Sequence, residues 1–254
     1  MGQDKKSKKV ITYDHRLFDI HCHILPGVDD GSRNMEMSLD MLQIAYDEGT
    51  RNIVLTPHYM VGRNHYEPAD LDRRFEELKK EAGERFPDIS LYLGNEILYE
   101  EGVVDLLKKG EIHTMNGTRY VLVEYNVRTP FRQIRNSIEE LSAARYWPII
   151  AHVERYECLV KQMDRIDELL RMKAYLQMNI SSIEGGFLNE SKRWCRKLLK
   201  EGCITFLATD AHNVDSRGPY SQDFIPWLVK NSSEDADFYL TEAAEMMVKG
   251  QYVE

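Results

Sequence analysis

The sequence predicts an α/β fold in which seven parallel strands close, or nearly close, into a single barrel. Three observations carry that expectation. Seven short apolar runs lie between residues 17 and 212, each followed by a stretch of helical periodicity. No Gly/Pro/Ser-rich linker interrupts the alternation, and strict alternation implies parallel strands. The length of 254 residues suits one α/β barrel domain.

The strand runs are LFDIHCH (17–23), NIVLTPH (52–58), SLYLGNEI (90–97), YVLVEYN (120–126), WPIIAHV (147–153), AYLQMNI (174–180) and ITFLATDAH (204–212). They are rich in Val, Ile, Leu, Tyr and Phe, and short enough to be buried parallel strands. The helical segments between them follow a different period. MEMSLDMLQIAYDEG sets Met37, Leu39, Leu42, Ile44 and Ala45 on an apolar side and ends in glycine. ADLDRRFEELKKEAGERF carries Leu71, Phe75 and Leu78 at helical spacing among charges. IRNSIEELSAARY, DRIDELLRM and SKRWCRKLLKEG repeat the pattern. Residues 1–14 read as a disordered Lys-rich tail without the apolar stretch of a signal peptide, leaving 15–254 as one domain.

Composition narrows the function. A formal net charge of −9 argues against nucleic acid as a partner. No stretch approaches the ~18 consecutive apolar residues of a membrane span. The four cysteines form no CxxC pair and read as reduced thiols in a cytoplasmic protein. Thiol phosphatase chemistry, which needs Cys-x5-Arg, is excluded. The residues six beyond Cys22, Cys158, Cys195 and Cys203 are Val28, Asp164, Glu201 and Thr209. No G-x-S-x-G motif supports a serine hydrolase, and GGFLNES lacks the Gly-Lys pair of a phosphate loop.

The informative pattern is where ligand-type residues fall. His21 and His23 end the first run, His58 the second, His152 lies near the end of the fifth, and Asp210 and His212 end the seventh. Glu96 and Glu124 sit near the ends of the third and fourth, and Asp30 lies in the loop PGVDDGS. Only AYLQMNI lacks such a residue. In a barrel these ends converge on one face, where active sites lie. His21 and His23, like Asp210 and His212, are i, i+2 pairs that a strand directs to one side, with Cys22 pointing away into the core. A lone strand-end histidine is usually just a hydrogen-bonded residue, but carboxylates in buried strands need a cation nearby. Five of eight histidines fall at matching ends; His15, His65 and His113 do not. Histidine plus carboxylate without thiolates suits catalytic Mn, Fe or Zn, and nine ligands suit two or three ions sharing carboxylates.

HCH, TPH, HVERY and DAH together resemble the polymerase and histidinol phosphatase superfamily. DIHCHILPGVDDGS, LTPHYMVGR, GNEI, VLVEYN, AHVERY and TDAHN resemble its manganese-dependent protein-tyrosine phosphatases, encoded with bacterial capsule and exopolysaccharide genes. The resemblance spans about residues 17–250. It implies a distorted seven-stranded barrel and hydrolysis of phosphotyrosine on a bacterial tyrosine kinase. It also implies a trinuclear Mn2+ site. One ion would take His21, His23, Glu96 and Asp210; a second, Glu96, Glu124 and His152; a third, Asp30, His58 and His212. Arg155 in HVERY and Arg217 in DSRG would clamp the phosphate. Val153 departs from the proline common after the histidine, at no cost to the chemistry. The alternatives are a small-molecule phosphatase such as histidinol-phosphate phosphatase, and a non-enzymatic binding protein, which would be expected to have lost ligands. The loop 60–68, with Arg63, reads either as a cover for the site or as a solvated loop.

Overall fold

Five of the seven expected runs each form one parallel strand, and the other two each break into a pair. The computed structural model of the chain describes residues 16–64, 66–183, 190–232 and 235–254. The expected tail, His15 and His65 fall outside those residues. The strands are β1 (Phe18–Cys22), β2 (Asn52–Leu55), β3 (His58–Tyr59), β4 (Ser90–Leu93), β5 (Glu96–Leu98), β6 (Tyr120–Glu124), β7 (Trp147–Ile150), β8 (Tyr175–Asn179) and β9 (Phe206–Ala208). They make a three-stranded sheet in the order β1-β2-β4 and a six-stranded sheet in the order β3-β5-β6-β7-β8-β9, parallel throughout. Among the described residues the seven expected runs thus supply nine parallel strands in two sheets.

Both breaks have local causes. Pro57 has no N–H for a ladder, so the second run ends as β2 and resumes as β3. The third run breaks at Gly94 and Asn95, where the backbone crowds Met115: a Cβ on Gly94 would lie 2.8 Å from the Met115 sulfur. Glu96 N–H then donates to the Pro57 carbonyl at 3.1 Å, which carries the run into the second sheet.

The expected helices are α1 (Met35–Asp47), α2 (Pro68–Arg85), α4 (Phe131–Ala143), α5 (Met163–Arg171) and α6 (Glu190–Lys200). The Asn34 side chain accepts from the Met37 N–H at 2.9 Å and caps α1, and Pro68 opens α2. Three more were not expected: α3 (Val103–Lys109), α7 (Ile225–Asn231) and α8 (Ala243–Val248). Each is two turns or less, too short to display a helical period.

One buried cluster joins residues of both sheets: Phe18 and Ile20 of β1, Val54 of β2, Tyr120 and Leu122 of β6, and Phe206 and Ala208 of β9, with α8 against them. The alternating residues Val121, Val123 and Leu207 pack instead with helices α3–α7. A second cluster packs α1 and α2 on the three-stranded sheet and includes Cys22, on the side away from the histidines as expected. Beyond β9 the chain runs along β1: Asp210 N–H donates to the His21 carbonyl and His23 N–H to the Ala211 carbonyl, both at 2.8 Å. Among the described residues, no helix is long and apolar enough to cross a membrane.

Candidate metal centre

All nine expected ligand-type side chains gather at one end of the sheets, near or beyond the C-terminal ends of the expected runs. Glu96, at the start of β5 and almost fully buried, sits at the middle. Its Oε1 lies 2.8 Å from His152 Nε2 and 3.2 Å from His21 Nε2. Its Oε2 lies 3.0 Å from His58 Nδ1 and 3.3 Å from His23 Nε2. Glu124, the last residue of β6, reaches His58 Nδ1 at 3.1 Å. Asp210 Oδ1 lies 3.7, 3.5 and 3.4 Å from His21, His23 and His212. Asp30, on the loop after β1, lies 3.4 Å from His58 and 3.5 Å from His212.

The compact donor sets differ in part from the expected grouping. Donor atoms within 4.8 Å of one another form three sets: His23, Asp30, His58 and His212; His21, His23 and Glu96; and His58, Glu96 and Glu124. His23 thus also joins the Asp30 set and His58 also joins Glu96 and Glu124, while His152 Nε2 lies 2.8 Å from Glu96 Oε1 and 3.7 Å from Glu124 Oε2 as in the expected grouping. Strand geometry alone places only the His21 and His23 pair. Asp210 and His212 lie beyond the end of β9, and the expected i, i+2 strand relation does not hold for them: Asp210 has φ +54°. His152 likewise has φ +32°. Both candidate ligands sit in the left-handed region that side chains other than glycine's rarely adopt.

The donor set fits divalent cations. His58 Nδ1 is buried without a hydrogen bond although two carboxylate oxygens lie within 3.1 Å. Nitrogen and oxygen lone pairs that converge without hydrogen-bond geometry are the arrangement a shared cation requires. Charge agrees. Burial would raise the Glu96 carboxyl, but the charge of His21 and the hydrogen bonds from His152 and His21 hold it well below its usual range. Burial opposes the ionisation of Asp210 too, and the charges of His21 and His23 overcome it. Burial and the neighbouring His23 lower His212 to about 4, which leaves its imidazole neutral, the ligand form. His152 is lifted to about 9, against its burial, by Glu124 and Glu96. The carboxylates whose charge cations would neutralise draw protons onto it instead.

A further layer of side chains, absent from the sequence expectations, holds these groups. Asp29, whose side chain is 5% exposed, accepts from His23 Nδ1 at 2.7 Å and from the His58 N–H at 3.0 Å. Its neighbour Asp30 carried the expectation; the doubled acid of VDDGS was the available signal. A Cβ on Gly31 would lie 2.1 Å from the His23 carbonyl oxygen, so only glycine lets this loop close on β1. Gln177 and Asn179 on β8, the run without a ligand, bond to His21 and Asp210. Their i, i+2 spacing in an otherwise apolar strand was the signal missed.

Arg155, on the turn after β7, and Arg217, beyond β9, both donate from Nη2 to Asp210 Oδ2, at 2.7 and 3.1 Å. Each side chain is about two-fifths exposed, at 41% and 42%. A cleft of about 540 Å³ opens on the Asp30, His58 and Glu124 side of the cluster, lined also by Val28, Met60 and Tyr66. Of the 60–68 loop, Met60, Arg63, Asn64 and Tyr66 line it, and Arg63 pairs with Glu100. The cysteines take no part: Cys22, Cys195 and Cys203 are buried, and burial lifts the last two thiols to about 12 and about 11.

A family model for capsular polysaccharide synthesis, CpsB/CapC, matches residues 17–248. The chain belongs to the CpsB/CapC family. This member is 31% identical to the tyrosine-protein phosphatase CpsB of Streptococcus agalactiae over 243 residues, 93% of this chain and all of that one. It is 34% identical to CpsB of Streptococcus pneumoniae over 219 residues, 84% of this chain and 90% of that one. Its fold superposes with a TM-score of 0.85 on a crystal structure from work on YwqE of Bacillus subtilis and CpsB of S. pneumoniae, described as metal-dependent tyrosine phosphatases. That match is 30% identical and covers 93% of this chain and 96% of the other.

Proposed function

We propose that this CpsB/CapC family member is a metal-dependent protein-tyrosine phosphatase. The observation that carries the reading is the pair Arg155 and Arg217 on one face of Asp210, with the histidine and carboxylate cluster on the other. That juxtaposes phosphate-binding donors with a cation site. The named family relatives support the aryl ester substrate. His21, His23, Asp30, His58, Glu96, Glu124, His152, Asp210 and His212 would hold two or three divalent ions, with Mn2+ favoured by the family resemblance and Fe or Zn accepted by the same donors. When bound, such ions neutralise phosphoryl oxygens and lower the pKa of water to about 7. Glu96, in reach of four histidines, would be the carboxylate shared between ions. The two guanidiniums orient the substrate's phosphate by paired N–H donation. A phenolate leaves with a pKa of about 10, so a strong general acid is less needed than for an alkyl ester.

The same reading takes the two sheets as one distorted barrel, closed between β1 and the residues after β9. The hydrogen bonds at His21 and His23 and the core shared by both sheets support it. It takes a tyrosine-phosphorylated bacterial kinase as the substrate and the cytoplasm as the compartment; four cysteines outside any disulfide support the latter. The experiment is turnover of a phosphotyrosine peptide against histidinol phosphate, on one preparation assayed for metal. Preference for the peptide, abolished by a chelator and insensitive to a thiol-blocking reagent, is expected. Preference for histidinol phosphate would replace the reading with a small-molecule phosphatase, and loss of activity on alkylation of a cysteine in the folded, metal-loaded protein would overturn its chemistry.

A further inference from the structure

We propose that Gln177 and Asn179 are positioning residues that fix the tautomer of His21 and hold the left-handed ends carrying His152 and Asp210 ready for cations. This rests on the metal-centre reading above. Both amides are buried, at 0% and 1% exposure, where water cannot substitute for them. They form a single directional chain of hydrogen bonds. Asn179 Nδ2 donates to Asp210 Oδ2 at 2.9 Å, Gln177 Nε2 donates to Asn179 Oδ1 at 2.9 Å, and Gln177 Oε1 accepts from the His152 N–H at 2.7 Å. The same Oε1 lies 3.2 Å from His21 Nδ1.

The direction of that chain is not a free choice. An ionised carboxylate only accepts and a backbone N–H only donates. Asp210 at one end and the His152 N–H at the other therefore orient both amides unambiguously. His21 Nδ1 then faces an oxygen and must carry its proton. Its Nε2 is the nitrogen turned to the cluster, 3.2 Å from Glu96 Oε1 and 3.4 Å from His23 Nε2, and in the neutral tautomer it is the lone pair a cation would take. A partner on the distal ring nitrogen that fixes the ligating one is how outer hydrogen bonds tune a metal site. The amides are also neutral.

The chain reaches the strained backbone as well. Gln177 accepts from the N–H of His152, at φ +32°, and Asn179 donates to the side chain of Asp210, at φ +54°. Asn179's own N–H donates to Glu154 Oε1 at 3.1 Å, which anchors the end of β8 to the turn that carries Arg155. One strand without a ligand thereby ties together ligands from three others.

The test is Mn2+ affinity, read from the EPR signal of the free ion and not from turnover. Gln177→Met keeps the volume but removes both bonds to the ligands. It is expected to weaken binding about 10- to 100-fold. Gln177→Glu keeps the acceptor for His21 and His152, and it should restore affinity to within about fivefold. A merely structural role predicts instead that both variants bind alike, with the loss confined to melting temperature. A folded Gln177→Met protein with wild-type affinity overturns the proposal. So does a wild-type, zinc-loaded, 15N-histidine-labelled protein in which His21 carries its proton on Nε2, a measurement that needs no variant to fold. Failure to hydrolyse phosphotyrosine, with Gln177-dependent metal binding intact, would defeat the phosphatase reading and leave this one standing.

Discussion

Asp210 takes three histidines near one carboxylate oxygen and two arginines plus Asn179 on the other. Its single charge is shared between the candidate cation site and the candidate phosphate clamp. The described residues offer neither guanidinium another partner, so each has N–H groups left for a ligand at the rim. Arg155→Ala and Arg217→Ala should each lower kcat on aryl phosphates while leaving metal content unchanged. A donor that strengthens in the transition state contributes about 2–4 kcal/mol, or roughly 30- to 1,000-fold. Metal analysis and kinetics on the same samples check this. A variant at the wild-type rate would reduce that arginine to a structural partner of Asp210.

At the scale of the element, the loop from His23 to Ser32 brings two acids to the site by folding back on β1. Ser32 N–H donates to the His23 carbonyl at 2.9 Å, and Asp29 spans from His23 to the His58 backbone. Gly31 is the point of closest approach, and nothing larger fits against the His23 carbonyl. Gly31→Ala must push the loop outward. The expected cost is about 1–3 kcal/mol of stability, the range for overpacking. The sharper outcome is chemical: Asp29 and Asp30 move together, so about one metal equivalent should be lost from the folded protein by elemental analysis. Full metal content with unchanged stability would show that the loop adapts.

Across the whole molecule, the strand ends that carry the candidate site lie opposite a floor sealed by the chain's last residues. The Tyr120 hydroxyl donates to the Gln251 carbonyl at 2.8 Å and accepts from the Val253 N–H at 3.0 Å. The Tyr175 hydroxyl donates to the Val253 carbonyl at 2.9 Å, and Val253 is buried. Removing residues 251–254 exposes this aromatic floor. One buried valine and three hydrogen bonds imply a loss on the order of 3 kcal/mol. For a chain of this size that is about 6–12 °C in Tm. Calorimetry on the metal-loaded protein should show that fall with metal stoichiometry unchanged, because the floor and the site are at opposite ends of the strands. An unaltered Tm would mean the tail adds nothing to the core.

The sequence by itself determined the residues whose chemistry is local. A period of two on β1 sends His21 and His23 to one side and Cys22 to the other, and this needs no knowledge of the rest of the chain. The alternation of strand and helix likewise implied that parallel strand ends would collect the acids and histidines at one face. Tertiary structure alone decided which donors share a set. His58 faces Glu96 and Glu124 because Pro57 breaks its run and hands β3 to the second sheet. It also decided what Asp29, Gln177 and Asn179 touch: His23, His21 and Asp210. Gln177 stands 156 positions from His21, and a hydrogen bond of that span exists only once the strands are assembled. Periodicity reports which face a side chain takes. What it meets there depends on breaks, slips and left-handed turns, whose energies are set by the packing of the whole chain.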